Sequence, residues 1–343
     1  MMNFIYKLIF LSSLMAGSII SISSSSWLGM WMGLEINLLS FIPLMIDNKN
    51  MLSSESAIKY FLTQAFASLI FLFVSILYIM KFNTLFNLNT LFYQNLIINS
   101  TMLLKMGAAP FHFWFPNVIE GLSWLNAFIL LTWQKLAPLM ILSYSLFSEM
   151  LYVFIIFSTL IGSIGGLNQT SLRKILAYSS INHIGWLLTA LLFSNILWMF
   201  YFILYTIINF SIILIFAMLN LFNINQIFMF NNSMTILKSC LLMNFLSLGG
   251  LPPFMGFFPK WMVIENLIQS NNLFILFFIV MMALITLFFY IRLSFSGFTL
   301  AYPSVKSSNS LIINNKLMMI NLLFNIFMIF TLLIIMMNNY YII

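Results

Sequence analysis

The chain has 343 residues, of which 63% are apolar and only 6% charged, with a mean hydropathy of +1.08. A soluble domain of this size carries about 25% charged residues, so lipid must serve as part of the solvent. The formal charge of +7 comes from 13 Lys and Arg against six Asp and Glu, scattered singly apart from Arg173-Lys174; no basic stripe follows a phosphate backbone, which argues against nucleic acid as a partner.

About 20 residues of helix cross the hydrocarbon layer. On that measure spans are predicted at 3–23, 26–46, 57–80, 91–115, 123–146, 149–169, 174–194, 196–222, 234–268, 272–295 and 317–337. The expected fold class is an all-α polytopic membrane protein of about eleven transmembrane helices. The first span follows Lys7, and ten further apolar segments make it a spanning helix rather than a signal peptide. The second is bounded by Ser23–Ser26 and by Asp47-Asn48-Lys49-Asn50. The fourth and ninth carry Gly and Pro inside, tolerable only where protein or water satisfies the freed backbone groups. The tenth ends at Arg292 and leads into a polar linker before the closing helix.

Charge orients the spans. The N-terminal flank and the even-numbered loops hold or adjoin Lys7, Lys49, Lys59, Arg173, Lys174, Arg292, Lys306 and Lys316, whereas the odd loops hold little beyond Lys81. The positive-inside rule places the N-terminus on the cytoplasm-equivalent side and the C-terminus opposite.

The two interrupted spans share a motif. Gly107-Ala108-Ala109-Pro110-Phe111-His112-Phe113-Trp114-Phe115-Pro116 and Gly250-Leu251-Pro252-Pro253-Phe254-Met255-Gly256-Phe257-Phe258-Pro259 both read G-x-x-P-F-x-x-x-F-P. An offset of five spans brings the copies in from opposite sides, the mark of inverted-topology repeats with discontinuous helices at a transport site. Two ordinary kinks in a Phe-rich chain are the plainer alternative, but the fixed Gly, Pro, Pro spacing favours a repeat. The chain then divides into a first five-helix repeat (1–146), a second, inverted one (149–296), a linker (297–316) and a closing helix (317–337).

Ionisable residues fall at membrane depth. Glu35 lies in Trp31–Asn37 of the second span, where a charge costs about 2.5–3.5 kcal/mol even on a lenient scale. Lys105 precedes the first break, Lys135 lies near mid-span in Trp133–Pro138, and Lys260 follows the second break. An ammonium taken out of water holds its proton less tightly, and a nearby carboxylate restores the grip. Alternate pairing could therefore load and unload such a lysine. His183, amid Ser179, Ser180 and Asn182, suits a proton relay; a satisfied buried histidine is the other reading. His112 is a weaker relay candidate. Glu35 could instead form a structural ion pair, and Lys59, Lys81 and Lys238 read as snorkelling residues. Glu120, Glu149 and Glu265 read as interfacial. One cysteine, Cys240, excludes an internal disulfide, and no Cys/His cluster or Gly-rich nucleotide loop suggests metal or redox chemistry in the chain. The residues alone leave open a pump subunit, a free-standing cation/proton antiporter or a structural membrane spacer.

In Trp31–Asn37, Lys105–Pro116, Trp133–Pro138, Arg173–Trp186 and Gly249–Trp261, and over essentially the full chain, the sequence resembles the subunit 2 family of mitochondrial NADH:ubiquinone oxidoreductase, respiratory complex I, in its short animal form. Its Phe, Ile, Leu, Asn and Met bias, including 26 Met, follows A/T-rich codons and resembles an arthropod mitochondrial product. The resemblance implies an antiporter-like subunit of a proton-pumping membrane arm. It implies proton-translocation roles for Glu35, Lys105, Lys135, Lys260 and His183, with no cofactor or metal in this chain. The complex as a whole would use FMN, iron-sulfur clusters, NADH and ubiquinone. Implied partners are the antiporter-like subunit 4, the small subunit 4L, the long lateral helix of subunit 5, accessory subunits and lipids such as cardiolipin. The implied location is the mitochondrial inner membrane, with the N-terminus in the matrix and the C-terminus in the intermembrane space.

Overall fold

The computed structural model describes residues 2–47, 50–81, 88–228 and 235–299. The predicted closing helix 317–337, with Lys306, Lys316 and the linker from residue 300, lies outside them. The described residues form fourteen helices: α1 (Met2–Ser23), α2 (Trp27–Met45), α3 (Met51–Lys81), α4 (Leu88–Met106), α5 (Trp114–Gly121), α6 (Trp124–Leu131), α7 (Trp133–Tyr144), α8 (Ser148–Gly165), α9 (Leu172–Phe193), α10 (Asn195–Leu219), α11 (Ile224–Phe228), α12 (Thr235–Gly249), α13 (Phe257–Gln269) and α14 (Leu273–Thr299). Eight segments among them are long and apolar enough to cross a membrane, with α6 and α7 counted as one. The chain is an all-α polytopic membrane protein, and it divides into two compact units between Ser158 and Thr159 of α8.

Local chemistry sets the helix ends. Ser26 caps α2, its hydroxyl accepting from the Gly29 N–H at 3.2 Å, and Ser194 caps α10 through the Leu197 N–H at 3.2 Å. Each satisfies one of the donors that a helix start leaves open. α10 stops at Asn220, in the left-handed conformation with φ of 50°, which Asn tolerates better than most residues.

In the first unit, α2 packs on α1 and α3, α3 on α4 and α5, and α7 on α1 and α4. The α1–α2 crossing depends on small residues: a Cβ on Gly33 would come within 2.7 Å of the Gly17 carbonyl oxygen. In the second unit, α9 packs on α10 and α13, and α12 on α10 and α14. Beyond Arg173 and Lys174 in its first turn, α9 has no single polar face and is mostly buried, with Asn182 and His183 enclosed among its apolar side chains. By contrast, less than a third of the most apolar stretch of α1 or α14 is buried. Their outward Ile, Leu, Phe and Met side chains are normal where the surrounding solvent is hydrocarbon.

The predicted span 123–146 differs from what is observed. It is broken at Thr132, whose φ and ψ are −118° and −74°. The Thr132 hydroxyl donates back to the Phe128 carbonyl at 2.7 Å, which bends helices. Pro138, inside α7, supplies no N–H to the Gln134 carbonyl. The predicted start at residue 57 is also late: α3 begins at Met51, where Ser53 ties the turn by donating to the Asn50 carbonyl at 2.6 Å.

Gly33→Val would overpack the α1–α2 crossing at a cost of about 1–3 kcal/mol. A lowered thermal midpoint of the purified, assembled protein would record it.

Candidate functional site

Each interrupted span ends its first half in the same way. α4 closes with Gly107 at φ of 75° and α12 with Gly250 at φ of 80°, a region where a side chain is strained. The Gly107 N–H reaches the Leu104 carbonyl at 3.0 Å, and the Ala108 N–H reaches Leu103 at 2.9 Å. The Gly250 N–H reaches the Ser247 carbonyl at 3.0 Å, and the Leu251 N–H reaches Leu246 at 3.3 Å. Both are Schellman closures. The shared Gly of the motif is therefore the residue that lets each helix stop within the protein.

A closure of this kind leaves the last carbonyls open, and the two breaks fill them differently. At the first, the Gln64 amide of α3 donates to the open Lys105 carbonyl at 3.3 Å, while the Trp114 indole N–H adds a second hydrogen bond, at 3.1 Å, to the Leu104 carbonyl that Gly107 already holds. At the second, the Lys260 ammonium reaches back from the first turn of α13 to the carbonyls of Leu248 and Gly249, both at 2.9 Å. A Cβ on Gly250 would lie 2.8 Å from Cδ of Lys260, so the glycine also makes room for the lysine stem.

The predicted site residues divide between the units. In the first, Lys105 and Lys135 are 7% and 1% exposed. Lys105 lies in the last turn of α4; the half-buried Glu35 of α2 acts on its ammonium through space, without a direct ion pair. The Glu35 Oε2 atom is buried and accepts no hydrogen bond from described residues. Lys135 follows the Thr132 break, in the first turn of α7, with its ammonium 5.1 Å from the centroid of the Phe115 ring. That geometry fits a cation–π contact.

In the second unit, Lys260 is 6% exposed, and its ammonium lies 5.7 Å from the centroid of a Trp186 ring. His183, 5% exposed, shares a 2.9 Å hydrogen bond between Nδ1 and the Tyr201 hydroxyl. Leu248, whose carbonyl takes the Lys260 ammonium, also lines a cavity of ≈10 Å³ with His183, Tyr201, Tyr205 and Ser247. That is about the room one water needs. The structure thus brings His183 and Leu248, whose carbonyl anchors Lys260, to one small cavity that is lined mostly by apolar atoms.

Other candidates fall elsewhere. His112 is buried, with Nδ1 3.2 Å from the Pro110 carbonyl oxygen. Glu149 and Glu265 are exposed and Glu120 half-buried. Lys59 forms an exposed ion pair with Glu55 at 2.6 Å, worth little. No cluster of His, Cys, Asp or Glu able to hold a metal occurs among the described residues.

Several polar partners were missed by the sequence reading. The Gln134 amide donates to Asn37 Oδ1 at 2.9 Å, and the Tyr60 hydroxyl donates to Gln134 Oε1 at 3.4 Å. Gln64 and Tyr201 belong with them. Their one signal in sequence is an amide or phenol inside an apolar span, a weaker mark than a formal charge.

Lys260→Met would leave the Leu248 and Gly249 carbonyls without their donor, at about 1–3 kcal/mol for each buried group left unsatisfied. Thermal unfolding of the assembled protein would show a drop larger than that for Lys59→Met.

Residues 24–286 match the family model described as NADH:quinone oxidoreductase/Mrp antiporter, TM. The chain is 56% identical to NADH-ubiquinone oxidoreductase chain 2 of Anopheles gambiae over 318 residues, 92% of this chain and 93% of the relative. It is 54% identical to the same chain of Aedes aegypti over 295 residues, 86% of each. Its fold is similar to that of a chain in respiratory complex I from Thermus thermophilus with bound aureothin. The TM-score is 0.82 at 21% identity, covering 96% of this chain and 78% of that one.

Proposed function

The chain belongs to the NADH:quinone oxidoreductase/Mrp antiporter family, in its NADH-ubiquinone oxidoreductase chain 2 branch, and on that premise we propose that it is a proton-translocating core subunit in the membrane arm of NADH:ubiquinone oxidoreductase. The observation that carries this reading is the placement of buried lysines at the broken helices: Lys105 at the end of α4 and Lys260 against the end of α12. Charges at such depth are costly and mark ion or proton pathways.

On this reading, Glu35 acts on Lys105, Lys135 takes the proton onward, and His183 and Lys260 serve the second half of the route. The move at each lysine is a change of partner. The ammonium is held by a carboxylate, a ring face or helix carbonyls in turn, and water completes the transfer. NADH oxidation and quinone reduction, with FMN and iron-sulfur clusters, occur in other subunits and supply the driving energy.

The finer architecture belongs to the same proposal. Eleven spans would form two inverted five-helix repeats, 1–146 and 149–296, followed by a linker and a closing helix. The matched Schellman closures at Gly107 and Gly250 support a repeat. The chain would sit in the mitochondrial inner membrane with its N-terminus in the matrix and its C-terminus in the intermembrane space. Its neighbours would be subunit 4, subunit 4L, the lateral helix of subunit 5, accessory subunits and cardiolipin.

Glu35→Gln and Lys135→Met are expected to lower the number of protons moved per NADH oxidised by reconstituted, fully assembled complex. Unchanged ratios and turnover in both variants would leave these residues a structural role only. Cation/proton exchange by the isolated chain in vesicles would favour a free-standing antiporter instead.

A further inference from the structure

The two breaks pose one chemical problem and answer it with different donors. A helix that ends inside a membrane protein presents carbonyl oxygens that bulk water cannot reach. A lysine close to such an end is a natural donor to them, and at α12 that is what Lys260 does, with both Leu248 and Gly249 at 2.9 Å. Its ammonium is committed to the helix end.

At α4 a lysine is equally close. Lys105 lies two residues before Gly107, in the last turn, and is free to curl onto its own helix end if those carbonyls are open. The Lys105 carbonyl is not. The buried Gln64, 4% exposed, takes it, and Trp114 adds a second hydrogen bond to the Leu104 carbonyl that the Gly107 N–H already holds. Both donors are neutral. The Lys105 ammonium donates to no carbonyl of the α4 end, and it remains within the field of Glu35.

We propose that Gln64 is a positioning residue for Lys105: by occupying the open carbonyl of α4 with a neutral amide, it keeps the Lys105 ammonium available to Glu35 rather than to its own helix end. This rests on the proton-carrying role proposed above. Gln64 touches no proton on the route; it sets which partner the lysine has. Its place within the apolar stretch of α3 fits that task. A hydrogen-bonding amide buried among apolar helices costs energy unless paired, and its amide nitrogen is paired with the carbonyl of the proposed proton carrier.

The test uses assembled complex reconstituted in vesicles and reads protons moved per NADH oxidised. The variants are Lys105→Met, Gln64→Met and the double variant. Gln64→Glu is the same size as the native residue, but its carboxylate cannot donate to the carbonyl and competes with Glu35 for the ammonium. The expected result is a loss in Gln64→Met and Gln64→Glu similar in fold to that in Lys105→Met, with no further loss in the double variant. A wild-type ratio in both Gln64 variants, beside a reduced ratio in Lys105→Met, overturns the inference and leaves the proton route standing. Losses that multiply in the double variant also overturn it, because Gln64 would then act apart from Lys105. A wild-type ratio in Lys105→Met sinks the proton role of Lys105, and the inference with it. Should Gln64→Met fail to assemble, the isosteric Gln64→Glu alone, compared in the native and Lys105→Met backgrounds, decides the same question.

Discussion

The end of a helix within a membrane is the constraint on which this structure turns. Bulk water is excluded there, so a carbonyl that loses its intrahelical donor must find another within the protein or from an enclosed water. α4 and α12 both stop short and both close through a left-handed glycine. The closure satisfies two carbonyls by backbone N–H groups, and side chains take others: Lys105 at α4, Leu248 and Gly249 at α12. Which side chains take them determines what the nearby lysines can do.

At the second break the lysine is itself the donor, and its stem fills the space beside Gly250. Its charge is balanced by carbonyl dipoles and a Trp186 ring rather than by a carboxylate. At the first break an amide takes the Lys105 carbonyl and an indole adds a second bond to Leu104, and the lysine answers to a carboxylate across the packing of its unit. The shared motif therefore builds one backbone solution with two electrostatic outcomes. The lysines do not occupy matching places in the motif: Lys105 lies two residues before the glycine, while Lys260 lies ten after it. On the proposed function, that difference would make the two half-routes respond to different cues, one to a moving carboxylate and one to hydration of the helix end.

Packing around these sites follows the same logic. The helices carry small residues where backbones approach: Gly33 against Gly17, and Gly162 against the backbone of Asn182. In lipid, close contact of this sort supplies association energy that the hydrophobic effect does not. Polar side chains are concentrated inward, in the Asn37–Gln134–Tyr60 chain and around His183 and Tyr201, while α1 and α14 show hydrocarbon to the outside.

Membrane character, most span positions, the interrupted helices and the formally charged residues within them were determined by the sequence alone. Long apolar stretches, and Gly with Pro inside them, have few other physical solutions in lipid. The sequence also singled out Lys105, Lys135, Lys260 and His183, because an ionisable residue in an apolar run is conspicuous, and all four are buried. Only the tertiary structure decided what each charge touches. It was also needed to place the break at Thr132, where a hydroxyl turned back on Phe128, a choice that Thr makes in some helices and not in others. It alone brought Gln64 to the Lys105 carbonyl across 41 positions of chain. Burial and charge follow from composition along one segment. The partner of a buried group depends on which distant segment packs beside it, and that is settled only when the helices meet.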